Sequence, residues 1–245
     1  MEKRPIIIIA AMEDAELNIL KKEAKNIKEV GGVTCKFYET EICGYPTVLC
    51  ASDIGCISAS SAITQAILKY NPIAIINQGL AGATTKEIHK NDVVVGTEMI
   101  NINSMWTPRK KENEGSNSLE WELVTFIRGE EDRLVVEEAD NFLVNCVKEI
   151  EKKYTKGNVY YGRIGSGDVW NNEIDKLKLL NEKYEVLCEE MEGIAIYKIA
   201  NLYKIPVINI RAISDNTLLG EEYDRSLGED LQYFVMELVK EIAIF

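Results

Sequence analysis

Four charged residues near the end of the chain have the types and spacing for acid–base chemistry. Glu190 and Glu192 stand two positions apart, and Arg211 and Asp215 lie further along. Paired carboxylates can hold hydroxyl groups, offset developing positive charge and move a proton, and an arginine among them can orient them through charged hydrogen bonds. Other readings exist for both pairs: an acidic first turn favoured by the helix dipole for the glutamates, and an internal ion pair for Arg211 with Asp215. The elements needed to position them are a helix and a strand. Periodicity predicts a helix from about Glu190 to Tyr203, with Met191, Ile194, Ala195, Ile199 and Leu202 on a mixed apolar face. Val207 to Ile213 reads as a buried strand with one embedded cation, so the two make half of an α/β unit.

Composition narrows the field of functions. A chain of 245 residues, 46% apolar, can bury a globular core. Its formal net charge of -12 argues against nucleic-acid binding but not against small nucleosides, which carry no phosphate to repel. The apolar run after Lys3-Arg4-Pro5 is too short for an export signal, and no segment reads as a membrane span. The six cysteines form no paired metal-ligand pattern and are expected as reduced thiols in a cytoplasmic protein. His89 is the only histidine and reads as a surface residue, which leaves no basis for histidine-bound zinc.

The remaining segments alternate in an α/β manner, with no linker or repeat, and predict one domain over residues 1–245. Ile6–Ala10 is a β-branched run expected as a central strand, leading into a helix that starts within Ala11–Leu17. Strands are expected at Cys35–Glu41 and Pro46–Ala51, with a Ser/Ala-rich helix from about Ile57 to Lys69. A short strand, Ile73–Ile76, should run into a loop, Asn77–Ala83. Its two glycines either admit a ligand close to the backbone or make a tight turn, and their spacing is not a dinucleotide fingerprint. Asp92–Gly96, Val159–Ile164 and Val186–Cys188 read as strands; Arg133–Lys153, Asn172–Tyr184 and residues 229–243 read as helices. Residues 107–120 read as an excursion or lid, and Asn216–Gly228 as a loop.

Six short motifs then stand together: Ala11-Met12-Glu13, Ser52-Asp53-Ile54-Gly55, Asn77 to Gly82, Ser166-Gly167-Asp168, Glu190-Met191-Glu192 and Arg211 to Asp215. In order and spacing the chain resembles the methylthioadenosine/S-adenosylhomocysteine nucleosidases of the purine nucleoside phosphorylase superfamily. The resemblance implies a single-domain three-layer α/β/α fold with a mixed central sheet, no cofactor and no metal. It implies hydrolysis of the N-glycosidic bond of 5'-thioether adenine nucleosides. Asp215 matches the acid that protonates N7, Glu192 the residue holding ribose hydroxyls, Met191 the packing beneath the sugar, and Glu190 a glutamate placing water or sugar. Trp170 matches the aromatic that stacks on the base, with a core indole as its other reading, and Asn171 replaces a commonly apolar neighbour. Met12 and Ile54 fall in the motifs around the nucleoside, as do Ala81 and Gly82 of the glycine segment, and Tyr223 is placed to cover the ligand. Family members are dimers, and Asn101–Trp106 is the segment expected to reach a partner's pocket.

Two positions depart from the pattern. The water-activating glutamate normally falls three residues after the motif methionine, where this chain has Ala15; Glu16, about 100° further round a helix, or Glu190 are the replacements available. Leu80 stands where a serine is usual. The related phosphorylases place an arginine before the glycine segment, and here that position is Asn77, which favours water as the nucleophile. A phosphorylase, a nucleosidase of other specificity and a non-catalytic nucleoside-binding protein are the alternatives.

Overall fold

In the computed structural model, which describes residues 3–128 and 131–244, the run Ile6–Ala10 forms β1 and is buried along its whole length. Two short helices, α1 (Glu13–Glu16) and α2 (Asn18–Glu23), replace the single helix expected there. The physical cause lies on the C-terminal helix. Gln232 accepts from the N–H groups of Ile19 (2.9 Å) and Leu20 (3.1 Å) and donates to the Ala15 carbonyl (3.1 Å), satisfying the groups a continuous helix would have paired internally.

An unpredicted edge strand β2 (Lys25–Gly31) follows, then β3 (Lys36–Ile42), β4 (Tyr45–Ala51) and α3 (Cys56–Tyr70). β2 is solvent-exposed over most of its length, so no alternation marks it. β5 (Ala74–Ala83) is a ten-residue strand that runs through the glycine segment expected to be a loop. β6 (Val93–Asn101) likewise outruns its predicted end. Two small hairpins come next: β7 (Met105–Trp106) with β8 (Glu122–Leu123), and β9 (Thr125–Arg128) with β10 (Glu131–Leu134). The helix expected from Arg133 begins only at α4 (Asn141–Ile150), capped by the Asp140 carboxylate. The residues before it form β11 (Val136–Glu138), which pairs with β6. β12 (Val159–Ser166), α5 (Ile174–Tyr184), β13 (Val186–Glu190), α6 (Gly193–Leu202), β14 (Val207–Asp215) and α7 (Gly228–Ile242) complete the chain. The predicted helix at Glu190 is thus a strand end, and α6 starts after Glu192.

The sheet is mixed and sandwiched between helices, giving three layers in one domain. β1 lies between β4 and β5, parallel to both. One apolar layer joins the sheet to α2, α4 and α7, and the opposite layer joins it to α3 and α6. Beyond β5 the strands curl: β5 pairs with β14, β14 with β6, β6 with β12, β12 with β13, and β13 returns to β5. On the side of β5 away from β14, pairing with β1 stops at Asn77 and pairing with β13 begins at Gly82. That leaves a gap at the sheet's centre.

Tyr197 holds the antiparallel junction of β14 and β6. Its buried hydroxyl donates to the Gly96 carbonyl and accepts from the Asn209 N–H, both at 2.7 Å, between residues that face each other in the register. Tyr197→Phe leaves both backbone groups unpaired and should destabilise the protein by about 1–3 kcal/mol. Equilibrium urea unfolding checks this, and an unchanged midpoint would refute it.

Candidate active site

The site is built around Arg211. β14 carries this side chain into the core, where it is 1% exposed. Its Nη2 donates to Glu190 Oε2 in a close contact and reaches Glu192 Oε2 at 3.5 Å; its Nε donates to Asn209 Oδ1 at 2.9 Å. Glu190 ends β13 and also accepts from the N–H groups of Glu192 (3.1 Å) and Gly193 (2.9 Å) at the start of α6. Glu190 thus sits at the start of α6 as the acidic-turn reading has it, and is also paired with Arg211. Glu192 completes the set by accepting from the Gly55 N–H at 2.9 Å, tying in the Ser52–Gly55 motif.

Glu16 is the third acid near Arg211, whose charge acts on it. It is 2% exposed; Oε2 accepts from the Met12 N–H at 2.8 Å and Oε1 from the Leu80 N–H at 2.9 Å. The Leu80 N–H is in the gap of β5 between β1 and β13, so Glu16 caps the strand edge that the sheet leaves open. Glu16 lies within α1, its N–H bonded to the Met12 carbonyl at 2.8 Å, and the helix breaks only after it, at Leu17. Gly79 makes the approach possible: a Cβ there would lie 2.5 Å from both Arg211 Nη1 and Glu16 Oε1. Glu13 faces elsewhere, and although partial burial opposes it, hydrogen bonds from Lys21, Tyr38 and Lys36 hold it down at about 2.

Asp215 arrives by a strand irregularity. Ile213 pairs with Ala81 and Asp215 with Gly82, so Ser214 is an extra residue that turns Asp215 to the face opposite Ile213. The Ser214 hydroxyl donates to Asp215 Oδ1 at 2.6 Å. Gly82 leaves room for the carboxylate, since a Cβ would meet Asp215 Oδ2 at 3.1 Å. Burial raises the pKa of Asp215, with the Ser214 bond opposing, and burial likewise raises those of Glu16 and Glu192 against the pull of Arg211.

Every residue predicted for the site borders one cleft that these acids share. Met12, Ile54 and Met191 contribute apolar wall, and Ala81 and Gly82 the floor. Trp170 is 57% exposed rather than a core indole, and its ring meets Tyr223 edge to face with centroids 5.2 Å apart. Asp168 belongs to a motif but not to the cleft: its carboxylate accepts from the Cys56 N–H (2.8 Å) at the start of α3. Residues 107–120 do not border the cleft either; Ser118 accepts there from Lys176 of α5. Sequence reasoning missed Glu189, which lines the cleft and accepts from the Asn171 N–H (3.0 Å) and Nδ2 (2.5 Å). The available signal was a third consecutive-type acid beside an asparagine in a position usually apolar. Among the described residues no cluster of His, Cys, Asp and Glu is placed to hold a metal ion, and no helix is long and apolar enough to cross a membrane.

The closed strand path and the acid-lined cleft at its rim define an α/β protein of the nucleoside-phosphorylase type. The family model of the phosphorylase superfamily matches residues 5–245, and the chain belongs to that superfamily. A 5'-methylthioadenosine/S-adenosylhomocysteine nucleosidase of Desulfotalea psychrophila is 28% identical over 243 residues, covering 96% of this chain and 97% of its own. The Neisseria meningitidis nucleosidase of that name, solved with methylthio-immucillin-A, superposes with a TM-score of 0.78 at 24% identity over 97% of this chain and 99% of its own. A futalosine hydrolase of Helicobacter pylori superposes equally well, with a TM-score of 0.79 at 19% identity over 97% of this chain and 98% of its own.

Removing the cation strands the acids. Arg211→Met should cost at least about 3–5 kcal/mol near neutral pH. Glu16 and Glu192 have folded-state pKa values above their unfolded ones, and without Arg211 the elevation grows. Their protonated forms then favour the fold at low pH, and that stability is lost as pH rises through the folded pKa. The deficit should therefore shrink as pH falls toward about 4.3, the ordinary glutamate value. Denaturation midpoints of variant and parent across that range check it, and a pH-independent difference would refute it.

Proposed function

We propose that the protein hydrolyses the N-glycosidic bond of adenine nucleosides bearing a 5'-thioether, such as methylthioadenosine and S-adenosylhomocysteine, and releases adenine. The observation that carries this reading is that two buried acids from distant parts of the chain, Glu16 and Asp215, border one cleft. Superfamily membership and the nucleosidases similar to this chain over nearly its full length support the choice of substrate.

In this reading Asp215 donates a proton to N7 as the bond from N9 to C1' breaks, so that neutral adenine leaves. Burial favours the protonated carboxyl this step needs. Glu192 and Glu190 face the ribose and offset the positive charge that develops on it. Glu16 accepts a proton from water as the water oxygen bonds to C1'; burial makes it a stronger base than an exposed glutamate. Arg211 holds Glu190 and Glu192 by hydrogen bonds, attracts Glu16 by its charge, and touches the reaction through them. Trp170 and Tyr223 cover the base, and Met191 packs beneath the sugar.

Phosphate has no free cation to meet. Arg211 is the one cationic side chain bordering the cleft among the described residues, and it donates to Glu190, Glu192, Asn209 and the Leu80 carbonyl. Asn77, at the position of the phosphorylases' arginine, is buried and does not border the cleft. The reading extends to a cytoplasmic homodimer in which Asn101–Trp106 approaches the partner's pocket, with no nucleic acid or membrane partner.

Incubation with methylthioadenosine in phosphate-free buffer should release adenine, and added phosphate should not accelerate it; release that depends on phosphate would identify a phosphorylase instead. Asp215→Asn should lower kcat by about 10²–10⁴-fold with the fold retained. Glu16→Gln should be as severe and Glu13→Gln mild, and small equal effects would remove Glu16 from the role of base. Because Asp215 must carry its proton, kcat/KM should fall as pH rises through its elevated pKa.

A further inference from the structure

Glu189 is a buried acid that the hydrolysis does not use. It is 7% exposed, borders the same cleft as Asp215, and pairs across the sheet with Gly82, which pairs on its other side with Asp215. Residues paired in register share a face, so both carboxylates stand on one face with a glycine between them. Two strand spacings separate their backbones by about 10 Å. A purine would span that slot: with N7 at Asp215, its six-membered ring would extend over Gly82 and present N1 and C6 to Glu189 and Asn171. Two of the carboxylate's four or so acceptor sites are taken by Asn171, and the others remain available on the cleft side.

We propose that Glu189 and Asn171 read the N1–C6 edge of the base, and that this reader admits 6-oxopurine nucleosides alongside adenine nucleosides. The ionised Glu189 accepts from N1–H of a 6-oxopurine, whereas the protonated carboxyl donates to the lone pair at N1 of adenine. The Asn171 amide serves either partner, donating to O6 or accepting from the 6-amino group. An ionised carboxylate facing adenine N1 would set two acceptors against each other, so the protonation state of Glu189 decides which base fits.

The surroundings keep both states in play. Burial lifts Glu189 to about 7, against the two Asn171 hydrogen bonds. From β14 Asp215 pushes it further up, and from α5 Lys176 pulls it down. Its neighbour Glu190 on β13 is committed to Arg211 and the start of α6. Asp215 meets N7 in both bases, so its own titration cancels when they are compared.

The proposal rests on the nucleosidase reading for which bond is cleaved, but base binding tests it separately. Dissociation constants for adenine and hypoxanthine are measured at pH 6 and pH 8 on the parent, Glu189→Gln and Glu189→Val proteins. In the parent, the preference should move toward hypoxanthine by about fivefold or more between the two pH values. In Glu189→Gln, whose amide does not titrate, the ratio should be flat. At pH 8, where Glu189 is ionised, Glu189→Val should weaken hypoxanthine about tenfold or more relative to adenine. A flat ratio in the parent, or unaltered selectivity in Glu189→Val, overturns the proposal. Base release from 5'-methylthioadenosine and 5'-methylthioinosine in phosphate-free buffer completes the test. Release from both supports it; release from neither, with selectivity still turning on Glu189, removes the hydrolase reading and leaves the base reader standing.

Discussion

One guanidinium governs the interior of this protein. Arg211 is the cation for three buried acids drawn from α1, β13 and the start of α6. Taking charges out of water costs several kcal/mol per ion unless each is paired and hydrogen-bonded, and here each acid also accepts backbone N–H groups. The accounts do not balance in charge: three carboxylates share one positive group, and burial answers by raising the proton affinity of Glu16 and Glu192. A site with surplus negative character interacts weakly with a neutral sugar and strongly with a sugar becoming cationic. In the proposed hydrolysis that difference would lower the barrier.

The topology supplies the place for this cluster. A regular sheet would pair every residue of β5 on both sides and leave no backbone donor for a side chain. The strands instead curl from β5 through β14, β6, β12 and β13 and back, and the edge left between β1 and β13 is where Glu16 docks. The break between α1 and α2 and the extra residue at Ser214 are irregularities of the same kind. The extra residue turns Asp215 to the face opposite Ile213, and each irregularity is held by a neighbour, the helix break by Gln232 and Asp215 by the Ser214 hydroxyl.

Much of this was legible in the sequence. Ile6–Ala10, Val207 onward and the Ser/Ala-rich α3 follow from apolar patterning, and the acids and Arg211 were identifiable as residue types with a purpose. What was not legible depended on partners distant in the chain. β5 was read as ending before its glycines because glycine usually ends strands, yet those glycines continue the strand and make room for Arg211, Glu16 and Asp215. The helix predicted from Arg133 started too early because Leu134 fits an apolar helical period as well as a strand. Glu16 was in doubt because what places it, the Leu80 N–H and the charge of Arg211, lies far along the chain. Glu189 passed unnoticed because its meaning comes from Asn171 and from the register with Gly82.

The two sides of the cleft are fixed to very different degrees. Its inner wall is a web of charged hydrogen bonds from three strands and two helices, with no slack to deform. Its outer wall is Trp170 against Tyr223, both partly in solvent and touching edge to face across two irregular segments. In the proposed reaction a substrate would enter and a free base leave by parting two aromatic rings, without disturbing a single strand. The rate of turnover is then separable from the stability of the fold: changes at the rings alter passage, while the acids inside keep their arrangement.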